Sequence, residues 1–398
     1  MKPANTTDIA VIGGGVIGLS CALRLAEAGR EVTLIEPNAL GSGASYGNAG
    51  TIAEYGIIPI GTPATLRNLP SLLFGRESPL SIRRAALGAL APWLAKFVVQ
   101  SMPHNARRNV EQLVRLLAEA SADWKELAAQ IDATHLFNPS GALYLYKSQA
   151  AFAAASSDIS LRRKNGIGQE MLTADEVAKL EPALPPFAGG GVYFPNAIHL
   201  RDPGQVMARL AKATISSGVN VITATVDNLK RGQSCVHLTG KNLDICAKHV
   251  VIAAGAFSKP LAQMAGEAVP LDTERGYHVE YDMEQPLLSR PVSPTERGLY
   301  LVPMQGRLRA VGTIELGGLT APPNQRRLDL IDRAAKSIFP TLGAPSRTWM
   351  GFRPSMPNSV PVIRPSRGGN DIIFAFGHGH LGLTLAPITA RLVSDMVR

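Results

Sequence analysis

The chain has 398 residues, 45% hydrophobic and 18% charged, proportions that exclude long disordered segments and allow two domains with large cores. Its net charge of +9 is scattered along the chain and follows no nucleic-acid motif, which leaves a merely solvated basic surface or, as the second reading, a general attraction to anionic surfaces or substrates. Cys21, Cys235 and Cys246 are odd in number and show no Cys-x-x-Cys spacing, so neither a disulfide framework nor a zinc site is expected.

Residues 1–8 form a polar leader without the basic start or cleavage site of a signal peptide, and a cytoplasmic chain is expected. The apolar run Ile9 to Ile12 suits a strand buried on both faces; "GLSCALRLAEAG" continues as a helix closed by Gly29, and "EVTLIE" restores a strand. Gly13, Gly15 and Gly18 occupy the three places of G-x-G-x-x-G. The first permits the tight turn, the second lets backbone approach a pyrophosphate, and the third lets helix pack on strand. Glu36 ends the second strand, where a carboxylate accepts hydrogen bonds from ribose. The unit specifies a dinucleotide but not which one, since NAD and FAD share the fingerprint. Cys21 lies on the helix and is expected to pack against the sheet.

"GSGASYGNAG", Gly41 to Gly50, is a loop of small residues that brings backbone donors to a second phosphate or serves as a plain linker. Between Pro59 and Pro103 the chain reads as irregular, with the apolar "RRAALGALAPWLAKFVV" too short to span a bilayer. Apolar steps from Val110 to Ile131 predict one amphipathic helix over 107–131. "GALYLYKS" and "GGVYFPNAIHL" read as strands, and "DPGQVMARLAKATISSG" as a helix capped by Asp202 with Pro203 at its first position. "NVITATV", "SCVHLTG" and "HVVIAAGA" return to strands. After Pro270 the alternation in "RGYHVEY", "GLYLVPM" and "RLRAVGTIEL" marks an antiparallel sheet. A helix near Asn324 to Phe339 follows, and the strand "DIIFAFG" and helix "TLAPITARLVSDMV" return to the first domain. The chain therefore reads as α/β, a Rossmann-type domain interleaved with an antiparallel-sheet α+β domain. Between the last strand and helix stands "FGHGHLGLT", two histidines among glycines, open to reading as a metal site, a base or a close backbone approach. Two histidines alone lack the three or four ligands of a zinc site, so no metal is expected there.

The glycine fingerprint, "SGASYGNAG", the antiparallel middle, "GFRP" and "GHGHLGLT" together resemble the FAD-dependent D-amino acid oxidase superfamily, and within it the bacterial D-amino acid dehydrogenases. The resemblance implies an FAD-binding domain over 1–60, 185–260 and 345–398, and a substrate domain over 61–184 and 261–344 that carries the apolar insertion. It implies FAD held without a covalent bond, because the early loop lacks a histidine and the C-terminal motif a cysteine. Residue by residue it assigns to FAD Gly13, Gly15, Val16, Ile17, Gly18, Glu36 and Pro37, then Ser42, Ala44, Ser45, Asn48, Ala49 and Gly50. Val226, Ala254 and Gly255 follow, and the bend Gly379, His380, Leu381, Gly382, Leu383 and Thr384 lies against the flavin. His378 is expected to be structural.

By the same resemblance Arg353 in "GFRP" pairs with a substrate carboxylate, for which a planar guanidinium offers two parallel charge-assisted bonds. Arg275 and Tyr277 share one strand face and His278 takes the other; Tyr277 is the pocket candidate, with a core tyrosine as the alternative. His380, whose carbonyl in similar enzymes receives the substrate amine, borders the pocket, and Tyr55 and His199 are candidates for its wall. The implied reaction is oxidative deamination of D-amino acids, including D-proline types, with quinone or oxygen as electron acceptor. An oxidase of glycine, sarcosine or another secondary amine and a flavin-bound assembly subunit without turnover are the other readings. The apolar insertion suggests peripheral contact with the inner face of a membrane through Trp93 and Leu94, with packing over the domain as the alternative.

Overall fold

The strand Asn5–Ile12 is central because its side chains alternate between two cores: Ile9 and Val11 enter one, Ala10 and Ile12 the other. It pairs in parallel with Val32–Ile35 on one side and Leu243–Ile252 on the other. In the computed structural model, which describes residues 5–75 and 78–397, these strands belong to an eight-stranded sheet. The polar leader thus lies partly outside the described residues. Helices Val16–Glu27, Pro203–Ser216 and Ala386–Met396 bury Leu19, Met207 and Ala390 in the first core. Leu238, Leu261 and Phe374 build the second core on the opposite face. The Asp202 side chain accepts from the Gln205 N–H at 3.1 Å, capping its helix as expected.

A nine-stranded sheet forms the other half. Its long strand Asp272–Asp282 runs antiparallel to both Arg307–Leu316 and Arg347–Ser355. The helix Gln325–Lys336 buries Leu328, Ile331 and Ala335 against Tyr277, Val279 and Tyr281 on one face. The opposite face of that strand carries Glu274, Gly276, His278 and Glu280 and meets the first domain. The strands Gly191–Phe194 and Arg347–Ser355 belong to this sheet, although the expected segments 185–260 and 345–398 group them with the dinucleotide unit.

Several local expectations are corrected. The single helix over 107–131 is two, Pro103–Leu117 and Ala120–Gln130. Leu117 packs with Ile57 and Leu381 whereas Trp124 packs in the core of the parallel sheet, and the break lets one segment serve two cores. "GGVYFPNAIHL" divides at Pro195 into Gly191–Phe194 and Ile198–Leu200, strands of different sheets. The apolar insertion contains a regular helix, Leu87–Gln100, with Pro92 inside it on an exposed position. Cys235 and Cys246, expected to be unpaired, are joined by a disulfide across neighbouring strands, while Cys21 is buried on its helix.

Candidate active site

The dinucleotide fingerprint folds into a cradle that admits only glycine. A Cβ on Gly18 would overlap the Gly13 carbonyl oxygen. Gly13 itself has φ +109 and a Cβ there would stand 2.5 Å from the Ala253 oxygen, so turn, helix and the strand end meet at backbone distance. The helix begins at Gly15 without a side-chain cap and without an acid in its first turn, which leaves N–H groups aimed at the turn. The Val16 N–H donates to Ser45 Oγ at 2.9 Å, bringing the small-residue loop over the helix end. Glu36 accepts from the Gly14 N–H at 2.7 Å and from the Asn38 N–H at 3.0 Å, which fixes its carboxylate beside the glycine turn next to exposed Pro37. Backbone donors, a positive helix end and an acid at the strand end fit a dinucleotide of the FAD kind. Ile17 is buried under the turn, Val226 packs in the second core, and Ala254 precedes Gly255, whose φ is +56.

The second sheet pins the loop over this cradle. His278 Nδ1 donates to the Gly47 oxygen at 3.1 Å, and Arg309 donates to the Asn48 oxygen at 2.5 Å. The Asn48 side chain accepts from the Gly50 N–H at 2.5 Å and donates to the Ser45 oxygen. Ser42 donates to the Ala39 oxygen at 2.6 Å, and Ala44 is exposed beside it, with Ala49 half-buried. The Trp349 ring stacks on His278 with centroids 5.1 Å apart. A Cβ on either Gly47 or Gly351 would overlap that ring, which explains glycine at both positions. Arg309 in turn pairs with Glu280 at 2.7 Å, and Arg307 and Arg347 reach the same carboxylate at 3.0 and 2.8 Å. Burial alone raises the Glu280 pKa, but Arg309, Arg347 and Arg307 outweigh it and hold it at about 2.

Arg353 stands directly opposite Glu274 in the sheet, and its guanidinium crosses the face of Gly276. A Cβ on Gly276 would stand 2.6 Å from Arg353 Cζ. Among the described residues the guanidinium has no hydrogen-bond or ion-pair partner, and it is half-buried. Glu274 is buried, its pKa raised by burial against the lowering charge of Arg353, and its Oε2 has no hydrogen-bond partner. The pair therefore offers one unpaired cation and one underused carboxyl group on a shared face. An isolated backbone bridge from Ser355 to His378 sets the end of the Arg353 strand against the Gly377 to Thr384 bend.

Within that bend His378 and His380 serve different places. His378 is buried, with Nε2 3.0 Å from Thr389 Oγ1; because that hydroxyl donates to the Leu385 oxygen, Nε2 carries the proton and donates to it. Burial depresses the His378 pKa to about 3. His380 follows Gly379 (φ +56) and keeps an accessible surface, while the crowded protein atoms around it and then the Arg353 charge lower its pKa to about 4. Leu381 packs with Ile57, Gly382 follows it, and the Leu383 oxygen accepts from Trp124 Nε1 at 2.8 Å. The buried Thr384 hydroxyl accepts from the Ala53 N–H at 3.1 Å and lies 3.4 Å from the Thr51 oxygen, so it joins the bend to the early loop.

Tyr55 is buried and stacked on Phe194 at 4.1 Å, with its hydroxyl 3.2 Å from that of Tyr300. Tyr300 continues to Thr51 Oγ1 at 3.0 Å, and the backbone carbonyl of Thr51 accepts from Thr384, so Thr51 joins the Tyr55 hydroxyl chain to the bend. His199 is buried against Ser140 at 3.1 Å. Tyr277, the sequence candidate for the pocket, lies on the opposite face. Its hydroxyl donates to Glu315 at 2.6 Å beneath the Gln325–Lys336 helix, and Arg275 binds the same carboxylate at 2.8 Å. The two side chains share a face as expected, and Tyr277 is the core tyrosine held as the alternative rather than the pocket residue. Sequence reasoning missed Glu274, Gly276, Trp349 and Tyr300; the two-residue step of Glu274, Gly276 and His278 was the available signal.

A family model described as FAD dependent oxidoreductase matches residues 8–396. The chain belongs to this family. It is 34% identical over 400 residues to a D-amino-acid oxidase of Bradyrhizobium diazoefficiens, with 98% of this chain and 94% of the relative covered. It is 29% identical to a D-amino acid dehydrogenase 2 of Ralstonia nicotianae, covering 98% and 96%. Among solved structures, glycine oxidase from Geobacillus kaustophilus superposes with a TM-score of 0.79 at 23% identity, covering 99% of this chain and 95% of that one. L-proline dehydrogenase from P. horikoshii gives 0.77 at 20% identity, covering 99% and 94%. The α/β architecture is that of these family members, the cofactor is FAD, and the protein is an FAD-dependent enzyme of amino acid oxidation.

Proposed function

We propose that the protein oxidises D-amino acids, cyclic D-proline-like ones among them, at the bond between Cα and nitrogen, giving an imine that water hydrolyses where the substrate is acyclic. The observation that carries this reading is the unpaired guanidinium of Arg353 lying over Gly276 beside the glycine bend. A carboxylate entering there gains two parallel charge-assisted bonds, which orients its Cα. FAD, when bound, supplies the two-electron acceptor, and the reaction needs no covalent nucleophile from the chain. The His380 backbone and side chain border the amine end, and neutral imidazole above its low pKa adds no competing positive charge. The relatives named D-amino-acid oxidase and D-amino acid dehydrogenase support the substrate class.

Anaerobic mixing with D- and L-amino acids, glycine and sarcosine tests the reading. Bleaching of the flavin by D-amino acids in preference to their L-enantiomers and to glycine is expected; preference for glycine or sarcosine replaces it with the amine oxidase reading, and no bleaching by any amine leaves an assembly subunit. The rate at which oxygen rather than a quinone restores the colour assigns the acceptor. We further expect the flavin to be noncovalent: acid precipitation should leave the yellow colour in the supernatant, and colour in the pellet would refute this.

Among the described residues no single helix is long and apolar enough to cross a membrane. Trp93 faces inward, its Nε1 donating to the Ser355 oxygen at 3.2 Å, so the membrane contact first assigned to it is withdrawn. Leu87, Val98, Val99 and Met102 are the exposed apolar side chains of this region, with Arg84 and Lys96 near them. We propose that this surface meets the inner face of a membrane in a cytoplasmic protein. Val98→Glu with Val99→Glu should abolish sedimentation with anionic vesicles while soluble-dye turnover stays within about twofold, since no group touching substrate is altered. Unchanged sedimentation refutes the contact.

A further inference from the structure

On the outer face of the hairpin formed by Val236–Gly240 and Leu243–Ile252, far along the chain from the Arg353 face, two cysteines and a histidine converge. The register sets His237 directly opposite Cys246. Cys235 precedes His237 by two residues and so projects to the same side, while Val236, Leu238 and Ala247 fill the buried side. One ligand atom from each of Cys235, His237 and Cys246 lies within 4.8 Å of the others. His237 Nε2 is 3.6 Å from Cys235 Sγ and 3.7 Å from Cys246 Sγ.

Those separations match a coordination tetrahedron. With Zn–S of about 2.3 Å and Zn–N of about 2.0 Å, a nitrogen and a sulfur on one zinc stand about 3.5 Å apart. His237 Nε2, at 3.6 and 3.7 Å from the two sulfurs, already stands close to that separation. Two thiolates on one zinc stand about 3.8 Å apart, so only the bridge between Cys235 and Cys246 has to open. His237 is exposed and both cysteines are half-buried, which leaves a fourth position for water. Cys21 is buried elsewhere and takes no part.

We propose that Cys235, His237 and Cys246, once reduced, bind a thiophilic divalent cation of the zinc class, and that the disulfide is the oxidised, metal-free form of the same site. A dithiol gives two electrons and two protons to the bridge; the sulfur–sulfur bond breaks, two thiols form, and the donor becomes a disulfide. The cation then displaces the two thiol protons to solvent and is held by two thiolates and a neutral imidazole.

Cobalt(II) is the probe, because its ligand-field bands lie to the red of flavin absorption. Holoenzyme reduced with a phosphine and desalted without oxygen should take one equivalent of cobalt, develop the ligand-field band of a tetrahedral, thiolate-ligated ion, and lose it to zinc. Oxidised holoenzyme should not respond. Cys246→Ser should abolish the band, and His237→Ala should weaken cobalt binding at least tenfold, with flavin content and turnover unchanged in both. The proposal is overturned if the reduced native protein gives no such ligand-field band, if Cys246→Ser keeps it undiminished, or if the bridge yields to reductant only on unfolding. None of these readouts depends on which amine the enzyme oxidises.

Discussion

Arg353→Ala should lose thirty- to several-thousand-fold in kcat/KM for amino acid substrates while keeping its flavin. The guanidinium feels the buried Glu274 carboxyl but has no hydrogen-bond or ion-pair partner among the described residues, so on the proposed reading a substrate carboxylate supplies those bonds. Removing it leaves that carboxylate unpaired in a confined site, at a cost of about 2–5 kcal/mol, the energetic equivalent of the loss in rate constant. Arg353→Lys should recover only part, because a point charge does not reproduce a two-pronged contact. Gly276→Ala is an independent probe: its methyl would meet Arg353 Cζ at 2.6 Å and push the guanidinium aside without removing charge. It should lower kcat/KM in the same direction, and amino acid amides should be poor substrates that lose little more in either variant. Carboxylate turnover within about threefold of native in a flavin-loaded Arg353→Ala protein would move the carboxylate site elsewhere on the Glu274 face.

Glu280→Gln should lose about 3–5 kcal/mol of stability, because three guanidinium groups would be left facing one another around a neutral amide. The depression of the native pKa from 4.5 to about 2 gives a similar figure, about 3 kcal/mol. With the folded pKa below the unfolded one, this stability is fully present above about pH 4.5 and disappears as pH falls toward 2. The native melting temperature should therefore fall through that window more steeply than the variant's. Flavin should also leak more readily from the variant, since Arg309 holds both Glu280 and the Asn48 carbonyl of the cofactor loop. Arg347→Gln is the control: its side chain is half-exposed, and a loss under about 1 kcal/mol is expected. Equal melting curves for native and Glu280→Gln proteins between pH 5 and 8 would refute the account.

The cofactor cradle was legible because its information is local. Gly13, Gly15, Gly18 and Glu36 lie within one strand–helix–strand unit; Gly18 answers a contact inside it, Gly13 one at the strand end beside it, and Gly15 faces Ser45 of the loop that follows directly. The substrate face was legible only by halves. A two-residue period states that Arg275 and Tyr277 share a side, but the helix Gln325–Lys336, which comes later in the chain, decides that this side is core. Glu274 became visible only through its register with Arg353. Cysteine spacing failed for the same reason: Cys235 and Cys246 are neighbours across a hairpin, and no count of intervening residues reports a register. The break between Leu117 and Ala120 lay beyond a periodicity test because the stripe continues while its target changes.

The path of the chain also sets a timetable for synthesis. The sheet that receives FAD opens with Asn5–Ile12 and is completed only when Gly369–Phe376 pairs with Leu243–Ile252. Between these events the ribosome delivers most of the second sheet, and the last strand of that sheet, Arg347–Ser355, also arrives late. A nascent chain therefore holds an incomplete cradle for nearly the whole of its translation, with long-range pairings still to form. Stable cofactor capture is therefore expected only after Gly369–Phe376 has been made; a ribosome-bound chain stalled before Gly369 should retain no FAD, and retention would refute this.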